Sequence, residues 1–98
     1  MILVRDIFHL KFGKARDGIA MWKEGQAMLK KAGYNPTRLL TDITGKYYRL
    51  VLESTYTSLK EFEDRFQDAQ GNDEWRKWYE RFMPICESGE REIFRILD

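Results

Sequence analysis

From Val4 to Phe12 the chain alternates. Val4, Asp6, Phe8, Leu10 and Phe12 share one parity, and Arg5, Ile7, His9 and Lys11 share the other. A period of two is that of a strand with two unlike faces, closed here by Gly13. From Ala15 to Ala32 the period becomes 3.6. Ile19, Met21, Trp22, Met28 and Leu29 fall on one half of the helical wheel together with Gly18 and Gly25, while Asp17, Lys23, Glu24, Lys30 and Lys31 fall on the other. Each glycine lowers helix propensity by about 1 kcal/mol, and on the buried half it allows the helix to sit close to a sheet. "AGYNP" stops the helix, with Gly33 suited to C′ and Pro36 unable to continue it.

Residues 37–56 read as a hairpin, "TRLLTDIT" and "YYRLVLESTY" joined through Gly45 and Lys46. In its second strand Tyr48, Leu50, Leu52 and Tyr56 oppose Tyr47, Arg49, Val51, Glu53 and Thr55. "SLKE" (58–61) is a capping box with Ser58 as N-cap, and the helix it opens carries Leu59, Phe62, Phe66 and Ala69 on one stripe. "QGND" (70–73) interrupts that helix, and Asn72 or Asp73 can cap a restart. The second piece carries Trp75, Trp78, Tyr79, Phe82, Met83, Ile85 and Cys86 on one arc, ended by Pro84 and "SG" (88–89). "REIFRIL" closes the chain as a fourth strand.

The order βαββαβ predicts an α+β, ferredoxin-like fold in one domain, 1–98. Four antiparallel strands form the sheet, strands 1 and 3 are central neighbours, and the helices cover one face. Parity sends Phe8, Leu10, Phe12, Leu39, Ile43, Leu50 and Leu52 to the helices. It leaves Arg5, Ile7, His9, Arg38, Leu40, Asp42, Arg49, Val51 and Glu53 on the second face. That face is mixed. A monomer would leave Ile7, Leu40 and Val51 wet, so the pattern predicts a homodimer through the sheet face.

Composition narrows the function classes. Seventeen basic and sixteen acidic residues give a net charge of +1, without the basic surplus of a nucleic-acid binder. No apolar run approaches the roughly 20 residues of a membrane span, and "MILVRDIF" is charged by its fifth residue, unlike a signal peptide. The single cysteine, Cys86, cannot form an internal disulfide and is expected in the core, which fits a cytoplasmic protein. One histidine and dispersed carboxylates have no metal-ligand spacing. "GKARDG" lacks the phosphate-loop pattern, and no cofactor is expected.

The candidate chemistry lies on the second face. His9, with a reference pKa of about 6.5, suits a general base, and Arg49 shares its side of the sheet and can stabilise negative charge. These two are the predicted catalytic pair. Arg5, Asp42, Tyr47 and Glu53 are predicted ligand contacts: Asp42 and Glu53 as an acid/base pair, and Arg5, with Arg38 and Arg49, as a partner for a carboxylate or enolate. A structural reading competes with this one. His9 can equally be a strand histidine hydrogen-bonded in a dimer interface, and inward-facing charges require salt-bridge partners in any case.

"LKFGK" at the end of strand 1 and "LESTYTSLKEFEDRF" from strand 3 into the second helix, in a βαββαβ chain of this length, resemble the dimeric α/β-barrel superfamily. Within it, "VRDIFHLKFGK", "WYERF" and "REIFRIL" look most like NIPSNAP-type proteins. The resemblance implies that two sheets pack face to face into a barrel with the Arg5/His9 face inward. Members of the superfamily include monooxygenases, haem-degrading enzymes, isomerases and proteins with no known chemistry. Its haem degraders rely on a helical histidine and on a tryptophan near the end of strand 3. This chain has only His9, in strand 1, and "LESTY" without a tryptophan, which argues against haem. Three readings stand: a protein that binds or transforms a small aromatic or polyketide-like molecule in the barrel, a non-catalytic dimeric binding or scaffold protein, and a cofactor-free monooxygenase. An enzyme of this kind should have a cavity of a few hundred Å³ opening near His9.

Overall fold

All 98 residues are described by the computed structural model of the protein. The elements run β1 (Ile2–Leu10), α1 (Ala15–Lys31), β2 (Thr37–Thr41), β3 (Arg49–Tyr56), α2 (Leu59–Gln70), α3 (Asp73–Phe82), a 3-10 turn (Met83–Ile85) and β4 (Cys86–Arg95). The sheet is antiparallel in the order β2-β3-β1-β4, the ferredoxin-like order with β1 and β3 central. No helix is long and apolar enough to cross a membrane.

The caps form where the polar residues call for them. The Ser58 hydroxyl accepts from the Glu61 amide at 3.2 Å and starts α2, and the Asn72 side-chain Oδ1 accepts from the Trp75 amide at 3.1 Å and starts α3. Gly33 takes φ +82° just past α1, the left-handed conformation expected at C′.

Three boundaries differ from expectation. β4 begins at Cys86, so Ser88 and Gly89 lie inside a strand and Cys86 stands on the sheet, opposite Leu10, not on a helical arc. The helix stops at Phe82 because Pro84 supports only a single 3-10 turn, after which the chain extends. Ile43 is not under the helices. β2 ends at Thr41, where the Asp42 carboxylate accepts from the Arg49 amide and turns the chain, leaving Ile43 98% exposed in the loop.

The core is aromatic and lies under α1 and α3. Leu10, Trp22, Leu50, Leu52, Trp78 and Phe82 form one buried cluster, with Trp22 and Trp78 only 2% and 1% exposed. Trp22 meets Trp78 edge-on at 4.6 Å between ring centroids and Phe82 at 5.7 Å, and Phe8 stacks on Trp22 at 5.6 Å. The Trp22 indole N–H has no oxygen or nitrogen acceptor, and rings surround it. Trp78 fares differently: its indole N–H donates to the Met21 carbonyl of α1 at 2.8 Å. That contact requires Gly25, one turn along α1. A Cβ on Gly25 would stand 2.7 Å from Trp78 Cζ2. Gly25 therefore admits a second helix, whereas Gly18 admits the sheet, its missing Cβ falling 2.7 Å from Leu10 Cδ1.

The two glycines should respond differently to alanine. Gly25→Ala forces a whole indole ring to move and should destabilise by about 1–2 kcal/mol, overpacking outweighing the gain in helix propensity. Gly18→Ala meets only the end of a rotatable leucine and should stay within about 1 kcal/mol of the parent. Thermal unfolding followed by circular dichroism measures both, and equal losses would contradict the packing described for Trp78.

Candidate functional site

The sheet has two unlike faces; His9, Arg49, Arg5 and Glu53 lie on the open one, and Asp42 and Tyr47 lie in the β2–β3 loop. His9 and Arg49 are register partners across β1 and β3, as parity requires. Arg5 and Glu53 pair four residues along, beyond the Ile7–Val51 pair, and Arg38 on β2 stands opposite Glu53. The Glu53 carboxylate accepts from Arg5 Nε at 2.8 Å and from Arg38 Nη2 at 2.5 Å, and it is only 6% exposed although its face has no covering layer. The Arg38 hydrogen bond, reinforced by that from Arg5, holds its pKa below the usual carboxylate value against the opposing effect of burial. Arg49 is engaged by Asp42, with Nε 3.3 Å from Oδ2. His9 Nε2 lies 3.2 Å from Glu90 Oε1. Asp42 and Glu53, expected as an acid/base pair, thus have separate arginine partners. Tyr47 belongs to the β2–β3 loop, 75% exposed, beside Phe12 and Tyr48.

A cavity of about 470 Å³ opens on the other side of the sheet, between its helix-facing surface and α2 with α3. Phe8, Leu52, Ser54 and Tyr56 form its floor, Phe62, Phe66 and Trp75 its walls, and Tyr34 and Asn35 part of its rim. This is not the side of His9. The cavity arises because α2 stands off: it has no buried residue, and its Phe66 stays exposed, so the layers meet under α1 and α3 and gape under α2.

One ion pair lines this apolar space. Arg91 Nε donates to Asp6 Oδ1 at 2.6 Å, across a register pair of β1 and β4. The same guanidinium lies over Phe66 at 4.8 Å and over Phe62 at 5.3 Å. Neither residue is among the predicted site residues, although the pattern carries a signal for one of them. Asp6 is the single carboxylate in the otherwise apolar set Val4, Phe8, Leu10. A charge at a core-facing position needs a partner or a function.

The rim is fastened by a side-chain knot. Asn35 Nδ2 donates to the Thr55 carbonyl at 2.8 Å and to Glu61 Oε1 at 3.0 Å. Glu61 Oε2 accepts from the Thr57 amide at 3.1 Å and from the Thr57 hydroxyl. The Asn35 and Thr57 hydrogen bonds hold the Glu61 carboxyl down at about 2. Cys86 is half-buried at the start of β4, and burial pushes its thiol up to about 11, which disfavours the thiolate. The structure brings together no group of three or more His, Cys, Asp or Glu side chains able to hold a metal.

No family model and no curated protein matches the chain. Solved structures do. A NIPSNAP family protein from Agrobacterium tumefaciens superposes with a TM-score of 0.88 at 20% identity, covering 99% of this chain and 86% of that one. A NIPSNAP domain protein from Burkholderia xenovorans gives 0.90 at 15% identity, over 99% and 95%. A variant of SnoaB, a cofactor-independent oxygenase from Streptomyces nogalater, gives 0.74 at 14% identity, over 99% and 93%. The chain has the fold of NIPSNAP family proteins, one it shares with a cofactor-independent oxygenase. At these identities the likeness is one of fold.

The knot predicts a pH dependence. The folded pKa of Glu61 lies below its ordinary 4.5, so its contribution to stability is fully present above that value and is lost as pH falls toward about 2. Glu61→Gln should melt lower than the parent at neutral pH, with the two curves converging between pH 4.5 and about 2. Parallel curves over that range would mean the knot is not held by the carboxylate.

Proposed function

We propose that this protein is a homodimer, paired through the open sheet faces, that binds a small aromatic organic molecule in the cavity between the sheet and α2/α3. The cavity carries the reading: about 470 Å³, walled mainly by aromatic rings and containing one oriented ion pair, it has the size and lining of a small-molecule site. Flat rings can lie against Phe62, Phe66 and Trp75, and polar substituents can meet Asp6, Ser54, Tyr56 or Arg91. The dimer rests on the open face. Ile7, Leu40, Val51 and Phe94 share it, while within the face Glu53 pairs with Arg5 and Arg38, Glu92 with Arg5, and Asp42 with Arg49. Such a surface loses little by leaving water and suits a second copy of itself.

A second reading makes the site catalytic. Asp6 Oδ1 is bound by Arg91, and Oδ2 has no hydrogen-bond partner, so the carboxylate can accept a proton from an acidic ligand group. That is the step a cofactor-free oxygenation would need first, and the fold shared with the cofactor-independent oxygenase favours it. The sequence-derived pair, His9 and Arg49, reaches a ligand only from the dimer side of the sheet. It is therefore a competing location for the site.

Titration with 2-naphthamide, followed by tryptophan fluorescence, separates the locations. Ala69→Phe projects a ring into the cavity from α2 and should weaken binding by about tenfold or more, while His9→Ala and Arg49→Ala should bind as the parent does. The opposite pattern would move the site to the sheet face. Light scattering at micromolar concentration should give twice the 11.8 kDa of one chain, and a monomer mass would remove the dimer.

A further inference from the structure

The charges around the cavity are unequally engaged. Three arginines line it, Arg65, Arg76 and Arg91. Arg91 is held by Asp6 and Arg76 by Asp73. Arg65, on α2, has neither an ion pair nor a hydrogen bond; its guanidinium lies over the Tyr34 ring, 5.7 Å from the centroid. Asp68 and Glu61 stand within one turn of it on α2, yet neither comes within 4 Å, and Glu61 is committed to Asn35 and Thr57. Glu80, the remaining charged lining residue without an ion pair, is exposed and stands one turn after Arg76 on α3.

A cation–π contact engages none of the guanidinium's N–H donors, so five N–H groups beside an aromatic cavity have no acceptor from the protein. The group they match best is a carboxylate, which accepts two parallel N–H bonds in the plane of the guanidinium. Phe62 and Phe66, on the same helix, line the apolar space next to it.

We propose that the ligand of this cavity is an aromatic carboxylic acid whose carboxylate pairs with Arg65 at the rim while its rings lie against Phe62, Phe66 and Trp75. The inference rests on the cavity being the binding site and adds the charge and polarity of what enters it. Arg65 sets specificity: it favours the acid over a neutral molecule of the same shape, because the neutral amide gains no charge-assisted hydrogen bond.

The test compares 2-naphthoate with its neutral isostere 2-naphthamide, by tryptophan fluorescence at low and high salt. The parent should bind 2-naphthoate roughly tenfold more tightly, and the gap should narrow with salt because the rim is partly exposed. Arg65→Gln should abolish the preference and leave 2-naphthamide affinity unchanged. Arg65→Lys should restore part of it, since a lysine keeps the charge but not the fork. Equal affinities in the parent, or a preference that survives in Arg65→Gln, would overturn the carboxylate assignment while leaving the cavity as the site. Binding of both probes that Ala69→Phe leaves untouched would overturn the cavity reading, and this inference with it.

Discussion

The contact between Trp78 and α1 is the constraint on which the rest of this structure depends. An indole that donates to the Met21 carbonyl must lie against the helix backbone, and only a residue without a Cβ at position 25 allows that approach. Once α1 and α3 are joined there, Trp22, Phe82 and Phe8 close around the contact, and the sheet is drawn up beneath them. All the densest packing is then at one end. α2, separated from α3 by the break at Gly71 and Asn72, cannot follow the same line and stands away from the sheet. The cavity is the geometric remainder of that tight corner.

The two sheet faces divide the charges by role. On the open face Glu53 lies between two arginines, and Asp42 and Glu92 each have one. This arrangement orders the face. On the cavity side Asp6 and Arg91 form a partly exposed pair beside Phe62 and Phe66. Such a pair contributes little to stability, because water screens it. Arg65 lies over the Tyr34 ring at the rim and has no ion pair, and it is the cation the proposed carboxylate would meet.

His9 and Arg49 are polar residues of the two central strands and are register partners. Each, however, has a carboxylate beside it, Glu90 and Asp42, supplied by segments far away or across a turn. Asp6 carried the stronger signal, a carboxylate breaking an apolar alternation. Its significance depends on Arg91, eighty-five residues away in the chain.

What the amino-acid pattern decided by itself is local. Periods of 2 and 3.6, the Ser58 and Asn72 caps, Gly33 and the burial of Trp22 and Trp78 follow from forces acting over a turn or a strand pair, and these were legible directly. The end of α3 was misread, because a short apolar run after proline suits an extended strand as well as a helix, and pairing with β1 chose the strand. Only the tertiary structure decided the distance between layers. That distance comes from which large side chains meet first, and here Gly25 and Trp78, from two different helices, settle it. The cavity and the placement of the Asp6–Arg91 pair and of Arg65 beside it follow from that spacing. None could be read from the chain, because each depends on groups that approach only after the helices have packed.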